Sequence, residues 1–232
     1  MYAVFGLKNL VLGLLALIAL IFFGFIWWLS PQDAIGLISL LWKVASITVT
    51  ATFILGNIRP VFKHLWKLGE LCSSSLFPDL SGSWKGYLRS NVSVHDAIQA
   101  AALSPDLKLN LNEPQDVDRI ELERFEAELE IKATLSRITL TMDVQGRKRE
   151  SRSYSLVCKP RVSIYDEPHR LTYVYRSQLT EPSADDESNH IGAAELEVLR
   201  QGNQIILSGF YWTARNWRNG RNTAGLMRFE RA

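Results

Sequence analysis

The sequence predicts an N-terminal two-helix transmembrane hairpin followed by an all-β domain, an eight-stranded up-and-down β-barrel. Two features carry this prediction. Residues 10–29 and 34–58 are apolar stretches that stand close together near the N-terminus. From residue 81 onward, apolar and polar residues alternate with the period of two that is typical of strands with one buried face.

The two apolar stretches have the length of membrane spans. Residues 10–29 contain no charged residue, and as an α-helix they extend about 30 Å, the thickness of the hydrocarbon core of a bilayer. Residues 34–58 contain one charge, Lys43. A signal peptide is the alternative for the first stretch, but no small-residue cleavage site follows it and a second span begins at once. We therefore predict that residues 1–58 form a transmembrane hairpin.

Positive residues flank the predicted hairpin on one side. Lys8 precedes the first span, the basic and amphipathic segment 59–76 follows the second, and the turn between the spans has no Lys or Arg. Because Lys and Arg are retained on the cytoplasmic side, we expect both termini in the cytoplasm. The segment 59–76 is interpreted either as a simple linker or as a connector that lies on the lipid headgroups.

Lys43 lies inside a predicted span, where an ionisable side chain is costly and commonly faces a bundle interior or water. We hypothesise that Lys43 becomes interfacial or pore-lining when several hairpins assemble. The alternative is that its long side chain reaches the membrane surface.

Residues 77–232 are long enough for one soluble domain with its own core. Strand-like alternation begins near Trp84 and recurs at 125–133, 138–144, 149–157, 171–178, 191–199, 204–213 and 223–231. Short turns connect most of these segments, so we predict a closed barrel, which removes the exposed edges of a sheet. Residues 92–118 form an insertion, and its Ala-rich part, 96–103, is expected to be a short helix.

The alternation also predicts which side chains point into the barrel. At one end, Trp84 is expected to form an apolar plug with the guanidinium of Arg231 against its ring. The other end collects polar, aromatic and basic side chains, a candidate ligand-binding mouth: Ser90, Tyr175, His190, Tyr211, Thr213, Arg215, Asn222 and Thr223. The basic turn 146–149 falls at this same end.

A mouth of this composition suits a small anionic ligand with flat rings. An eight-stranded barrel is wide enough to hold one small ligand. Arg215 is able to pair with a phosphate or carboxylate, and Tyr175 and Tyr211 offer rings for stacking. The alternative is that these side chains are hydrogen-bonded core and rim groups with no ligand.

Other functions are not favoured. A net charge of +2 gives no reason to expect a nucleic acid polymer as partner. The sequence has no phosphate-binding glycine loop, no H-E-x-x-H motif and no nucleophile elbow, so we predict no enzyme, no catalytic residue and no cofactor. The two cysteines match no metal-binding spacing and the four histidines are dispersed, so no metal site is predicted.

Three segments behind the hairpin carry a family resemblance. Residues 78–91, PDLSGSWKGYLRSN, fit the pattern P-x-L-x-G-x-W-x-G-x-L-x-S. Residues 190–194, HIGAA, and 209–215, GFYWTAR, follow, with NTAG at 222–225. In this order behind two spans, the chain resembles the two-transmembrane, β-strand-rich effectors of bacterial cyclic-oligonucleotide-based anti-phage signalling systems (CBASS).

The resemblance implies an anti-phage effector of the bacterial inner membrane. Its barrel is expected to bind a cyclic dinucleotide made after infection, and the family motif maps onto His190, Tyr211, Thr213 and Arg215. Binding is expected to promote homo-oligomerisation of the hairpins, disruption of the lipid membrane and abortive infection.

A lipocalin-like protein is the alternative. Residues 82–84, Gly-Ser-Trp, match the G-x-W of the first lipocalin strand, and Arg231 stands where the last-strand arginine of lipocalins packs over that tryptophan. The alternative function is a membrane-tethered carrier or sensor of a small apolar ligand. A polar mouth and a two-span anchor favour the receptor.

Overall fold

The computed structural model describes residues 2–29, 33–72, 77–146, 150–162, 167–180, 187–202 and 204–232. The chain divides into two compact units. One consists of residues 1–79 together with 133–138, and the other consists of residues 80–132 and 139–232.

The first unit is helical, with α1 at Tyr2–Leu29, α2 at Ala34–Asn57 and α3 at Arg59–Cys72. Val11–Leu29 and Ala34–Asn57 are long and apolar enough to cross a membrane, and almost none of their side chains are buried within the protein. The two predicted helices are therefore present. Helix α2 ends where Ile58 adopts an extended backbone (φ −82°, ψ 109°). Pro60 then lies in the first turn of α3, where its missing N–H has no intrahelical partner to lose.

The turn between two barrel strands, residues 133–138, belongs to the helical unit. The Leu135 amide donates a hydrogen bond to the carbonyl oxygen of Gly56 at 2.8 Å, and the Ser136 hydroxyl bonds the Asn57 side chain. The Leu135 side chain occupies the space that a side chain on residue 56 would need, because a Cβ built on Gly56 would lie 2.7 Å from Cδ2 of Leu135. Gly56 therefore permits this close approach to the end of α2.

The second unit is a closed eight-stranded antiparallel β-barrel with strands in chain order, as predicted. Strand β1 pairs with β2 on one side and with β8 on the other, which closes the sheet. Two helices lie between β1 and β2: α4, Val92–Leu103, and α5, Pro114–Asp118. The strands are β1 Gly82–Ser90, β2 Glu123–Ala133, β3 Ile138–Gln145, β4 Ser151–Arg161, β5 His169–Leu179, β6 Asn189–Gln201, β7 Gln204–Thr213 and β8 Ala224–Arg231.

The inward face is the one that the alternation predicts, because the buried residues of β1, β5, β6 and β8 share the predicted inward parity. On β7, Leu207, Tyr211 and Thr213 follow the same parity, and Ile206 is buried in addition. Strand β4 departs from the predicted 149–157. It extends to Arg161 because a register shift between Ser155 and Val157 lets it continue pairing with β5. Helix α4 begins at Val92, four residues before the predicted helix.

One end of the barrel is filled by a closed apolar cluster around Trp84. Its ring is fully buried, as are Leu171, Leu207 and Phe229. The Trp84 indole N–H donates to the Leu80 carbonyl oxygen at 3.0 Å, and the guanidinium carbon of Arg231 lies 5.0 Å from its ring centroid. The predicted geometry of the plug is thus present.

Candidate functional site

The opposite end of the barrel contains a small cavity of about 80 Å³. Its lining combines apolar residues with hydroxyls, two phenols, an imidazole and a guanidinium. The lining residues are Leu88, Ser90, Val92, Phe125, Met142, Val144, Ser151, Ser153, Tyr175, Ser177, Leu179, His190, Tyr211, Thr213, Arg215 and Thr223. The barrel therefore has one apolar end and one end with polar groups, as the alternation predicts.

The structure brings most of the predicted mouth residues together. Those that line the cavity are Ser90, Tyr175, His190, Tyr211, Thr213, Arg215 and Thr223. Asn222 is the exception, because its side chain is exposed and it is absent from the lining. Its backbone carbonyl oxygen lies 3.1 Å from Nε2 of His95. Residues 147–149 of the predicted basic turn lie outside the described residues.

Two tyrosine rings in the lining each lie beside a glycine on the neighbouring strand. Tyr175 is the register partner of Gly192 on β6, and Tyr211 is the partner of Gly225 on β8. A side chain at either glycine would approach the tyrosine ring within about 3 Å. The glycines therefore leave room for two aromatic rings inside a narrow barrel.

Burial raises the pKa of both phenols. It raises the pKa of Tyr175 well above its usual value, and the neighbouring phenols Tyr173 and Tyr211 raise it further. Burial also raises the pKa of Tyr211, against the lowering effects of a hydrogen bond with Ser90 and of the Arg215 charge. Near neutral pH, both rings present an O–H donor and no negative charge to a ligand.

A threonine pair fixes the connection between β7 and β8 at the mouth. The hydroxyls of Thr213 and Thr223 are 2.9 Å apart, and the Thr223 amide donates to the Thr213 hydroxyl at 3.1 Å. The Thr213 amide donates to the Thr223 carbonyl oxygen at 2.8 Å, and the Arg215 amide lies 3.4 Å from the Thr213 hydroxyl. These hydrogen bonds fix the backbone position from which Arg215 reaches the cavity lining.

Helix α4 is held at its N-terminal end by the start of β8 and further along by the β7–β8 connection. The backbone N–H of Asn91 donates to the Ala224 carbonyl oxygen at 3.0 Å, and the backbone N–H of Ala224 donates to the side-chain oxygen of Asn91 at 2.9 Å. Further along the helix, Gln99 accepts a hydrogen bond from Arg221. The predicted insertion is thus joined to the rim of the cavity, a position that the sequence alone did not indicate.

Two lining serines of β4, Ser151 and Ser153, were not predicted. The alternation of serine at 151, 153 and 155 was the available signal. This alternation did not decide which face of β4 points inward, because the register shift after Ser155 reverses the inward parity along the rest of the strand.

The residues that the structure describes include no group of three or more His, Cys, Asp or Glu side chains arranged to hold a metal ion. Among the described residues, the cavity lining contains no carboxylate and one guanidinium, that of Arg215. Its chemistry is that of a site for an uncharged or anionic ring-bearing molecule.

Comparison with known proteins gives two matches. Residues 105–231, more than half of the chain, match the family model described as Cap15, cyclic dinucleotide receptor domain. The chain is also similar to a protein of Escherichia albertii named CD-NTase-associated protein 15, with 29% identity over 187 residues that cover 80% of this chain and 78% of the relative. The family match includes β2–β8 and most of the cavity lining.

Proposed function

We propose, from the premise that the chain belongs to the Cap15 cyclic dinucleotide receptor domain family, that the polar end of its barrel binds a cyclic dinucleotide and thereby activates the membrane helices. The resemblance to CBASS effectors is confirmed by this match. The observation that supports this location of the binding site is the cavity at the polar end of the described barrel, where two phenols, an imidazole and a guanidinium converge.

Each part of a cyclic dinucleotide has a matching group in the lining. Tyr175 and Tyr211 are proposed to stack on the bases, whose flat faces pair well with aromatic rings. Arg215 is proposed to pair with a phosphate. His190 and the hydroxyls of Ser90, Thr213 and Thr223 are proposed to bond base edges and sugar-phosphate oxygens.

The cavity is smaller than this ligand. A volume of about 80 Å³ holds only a few waters, whereas sites for drug-sized molecules have roughly 300–1,000 Å³. We therefore propose that binding widens the mouth, and that α4 moves because it is joined to the rim through Asn91 and Gln99.

For the effect on the membrane, we propose the following organisation. Residues 1–58 span the inner membrane twice with both termini cytoplasmic, residues 59–76 link this hairpin to the barrel, and residues 77–232 form the cytoplasmic receptor domain. Ligand binding promotes oligomerisation, membrane disruption and abortive infection. This requires that the ligand bind the assembled state more tightly than the single chain. The unburied apolar surface of α1 and α2 supports a lipid environment for them.

An apolar patch on the outside of the barrel supports oligomerisation. It consists of neighbouring outward residues on β5–β8: Val174, Ile191, Phe210, Trp212 and Leu226, all at least 36% exposed. Exposed apolar patches of this kind mark interaction surfaces. Phe210 and Trp212 flank the cavity residue Tyr211 along β7, so a ligand that moves this strand also moves the patch.

Lys43 is proposed to act in the output. It lines an apolar groove of about 770 Å³ within the helical unit, which Val44, Thr48 and Phe62 also line. If Lys43 becomes interfacial or pore-lining, Lys43→Leu will abolish ligand-triggered dye leakage from vesicles, while Ser39→Leu on the same helix will not. Unchanged leakage from Lys43→Leu would remove Lys43 from the mechanism.

The test of ligand binding is calorimetric titration of the full chain in detergent. We expect heat of binding from at least one cyclic dinucleotide and little from its linear counterpart. The bound nucleotide is expected to be recovered intact, because we propose a receptor and no enzyme. Binding of a fatty acid alone would favour the apolar-ligand carrier and contradict the proposal.

A further inference from the structure

Helix α3 is fixed by two of its aromatic side chains. Phe62 and Trp66 are buried, with their ring centroids 5.2 Å apart. The Trp66 indole donates a hydrogen bond to the carbonyl oxygen of Phe77 at 2.9 Å. One face of the helix is therefore engaged inside the helical unit, and its rotation about its own axis is set.

A second group of apolar side chains on α3 faces outward. Leu65 is 53% exposed and Leu68 is 59% exposed, values matching those of Leu12 and Leu15 in the first apolar helix. Residues three apart in a helix are neighbours on its surface, so Leu65 and Leu68 form one continuous apolar strip. Half-buried Val61, one turn before Leu65, extends this strip.

The opposite side of α3 is basic. Arg59, Lys63 and Lys67 recur every four residues, which places them along one stripe, and all three are exposed. Glu70, the acidic residue of this helix, accepts a hydrogen bond from the Asp79 amide at 2.6 Å. The stripe therefore presents three positive charges to whatever lies against it.

We propose that α3 lies in the headgroup region of the cytoplasmic leaflet and binds anionic phospholipids. Leu65 and Leu68 enter the acyl boundary while the basic stripe pairs with lipid phosphates, the arrangement of interfacial amphipathic helices. Two observations select lipid as the occupant. The charge is complementary to anionic headgroups, and only Ile58 separates the end of α2 from the start of α3, so α3 starts where the span leaves the membrane. The inference rests on the proposed membrane anchorage.

Site-directed cysteine labelling of the full chain in vesicles tests the proposal. An environment-sensitive fluorophore is attached to Leu65→Cys or, as the polar-face control, to Lys67→Cys, each in a Cys72→Ser background. Burial raises the pKa of the Cys158 thiol to about 12, so this native cysteine is expected to stay unlabelled at neutral pH. The Cys72→Ser chain without an added cysteine serves as the blank.

In vesicles of phosphatidylcholine with phosphatidylglycerol, the label at residue 65 should be quenched by a lipid carrying a shallow acyl-chain quencher, about 5–10 Å below the surface. The label at residue 67 should instead be quenched by aqueous iodide. Adding Arg59→Gln and Lys63→Gln should reduce lipid quenching at residue 65, whereas Lys108→Gln with Lys159→Gln should leave it unchanged.

Three results would overturn the proposal. Iodide access at residue 65 equal to that at residue 67 would exclude lipid contact. Equal lipid quenching in pure phosphatidylcholine would exclude anionic selectivity. Protection of residue 65 that grows with protein density in the vesicle would assign the strip to a second copy. A chain that alkaline washing removes from the vesicles would contradict the membrane anchorage as well, whereas the other results leave the anchorage standing.

Discussion

The Tyr175 ring lies directly over Gly192, its register partner on the neighbouring strand. A Cβ built on Gly192 would stand 2.5 Å from Cζ of Tyr175 and 2.8 Å from the carbonyl oxygen of Trp212. Neither distance is possible for a real Cβ contact, so the position of this ring depends on the absence of a side chain at residue 192. The position of one of the two proposed stacking rings therefore depends on a glycine that itself offers no side chain to a ligand.

Gly192→Ala is expected to weaken ligand binding. The added methyl displaces the Tyr175 ring or shifts β7 at Trp212, and overpacking of this kind costs about 1–3 kcal/mol of stability. Calorimetry with the cyclic dinucleotide and a thermal unfolding scan measure both effects. Gly24→Ala, where a Cβ meets nothing within 4 Å, is the control. Wild-type affinity in Gly192→Ala would show that Tyr175 does not contact the ligand.

Thr213→Val is expected to loosen the β7–β8 connection. The substitution keeps the shape of the side chain but removes the hydroxyl that bonds Thr223 through both its amide and its hydroxyl. Leaving these buried groups without this partner costs about 1–3 kcal/mol. Urea unfolding measures the loss, and Thr213→Ser, which keeps the hydroxyl, should recover most of it. Equal losses for Val and Ser would assign the effect to packing.

Arg215→Gln is expected to lower affinity for a cyclic dinucleotide by about 10- to 100-fold, the effect of losing one charge-assisted hydrogen bond of roughly 1.5–3 kcal/mol. Arg215 is the basic residue among the described lining residues. The control is Arg218→Gln, an exposed arginine in the same connection. If both variants lose affinity equally and only at low salt, the contribution of Arg215 is a long-range attraction of the anionic ligand by positive charge, and not a direct pair with its phosphate.

The sequence is sufficient to predict the barrel and its two chemically different ends, because the buried residues of β1, β5, β6 and β8 keep the predicted inward parity. Strand β7 keeps it from Leu207 to Thr213. Parity fails at β4, where the register shift after Ser155 hides Ser151 and Ser153 as lining residues. It also fails beyond strand ends. Asn222, two residues before β8, has an exposed side chain, and its carbonyl oxygen lies 3.1 Å from Nε2 of His95.

The position of α4 was not predictable either. Its attachment to the rim depends on pairs far apart in the chain, Asn91 with Ala224 and Gln99 with Arg221. Periodicity reports which face of an element is apolar, but it carries no information about which distant loop a polar side chain will reach. The link between α4 and the rim of the cavity is for this reason a property that only the folded chain reveals.

The contact between Arg231 and Trp84 is expected to be worth less than the burial of the ring. Arg231→Ala removes a cation–π contact at an exposed guanidinium, which costs about 0.5–1 kcal/mol. Trp84→Ala leaves a cavity in a fully buried cluster and costs about 3–5 kcal/mol. Urea unfolding separates the two, and Arg228→Ala on the same strand is the control. A loss in Arg231→Ala as large as that in Trp84→Ala would show that the arginine closes the barrel.

The buried phenols are expected to make the barrel sensitive to alkaline pH. Burial raises the pKa of Tyr173, Tyr175 and Tyr211, whereas the unfolded chain exposes phenols that titrate near about 10. The unfolded state therefore loses these protons first. By linkage, the contribution of these groups to the free energy of unfolding is fully present below about pH 10 and falls as the pH rises beyond that value.

Urea unfolding of the full chain in detergent between about pH 8 and about pH 11 measures this loss. Tyr173→Phe, which removes one buried phenol and its 3.7 Å contact with the Met227 sulfur, should make the fall above pH 10 less steep. Tyr154→Phe, at a ring that is 43% exposed, is the matched control and should leave the steepness unchanged. Equal steepness in Tyr173→Phe and the wild-type chain would mean that the Tyr173 phenol titrates in the folded barrel as it does in the unfolded chain, which would contradict the raised pKa.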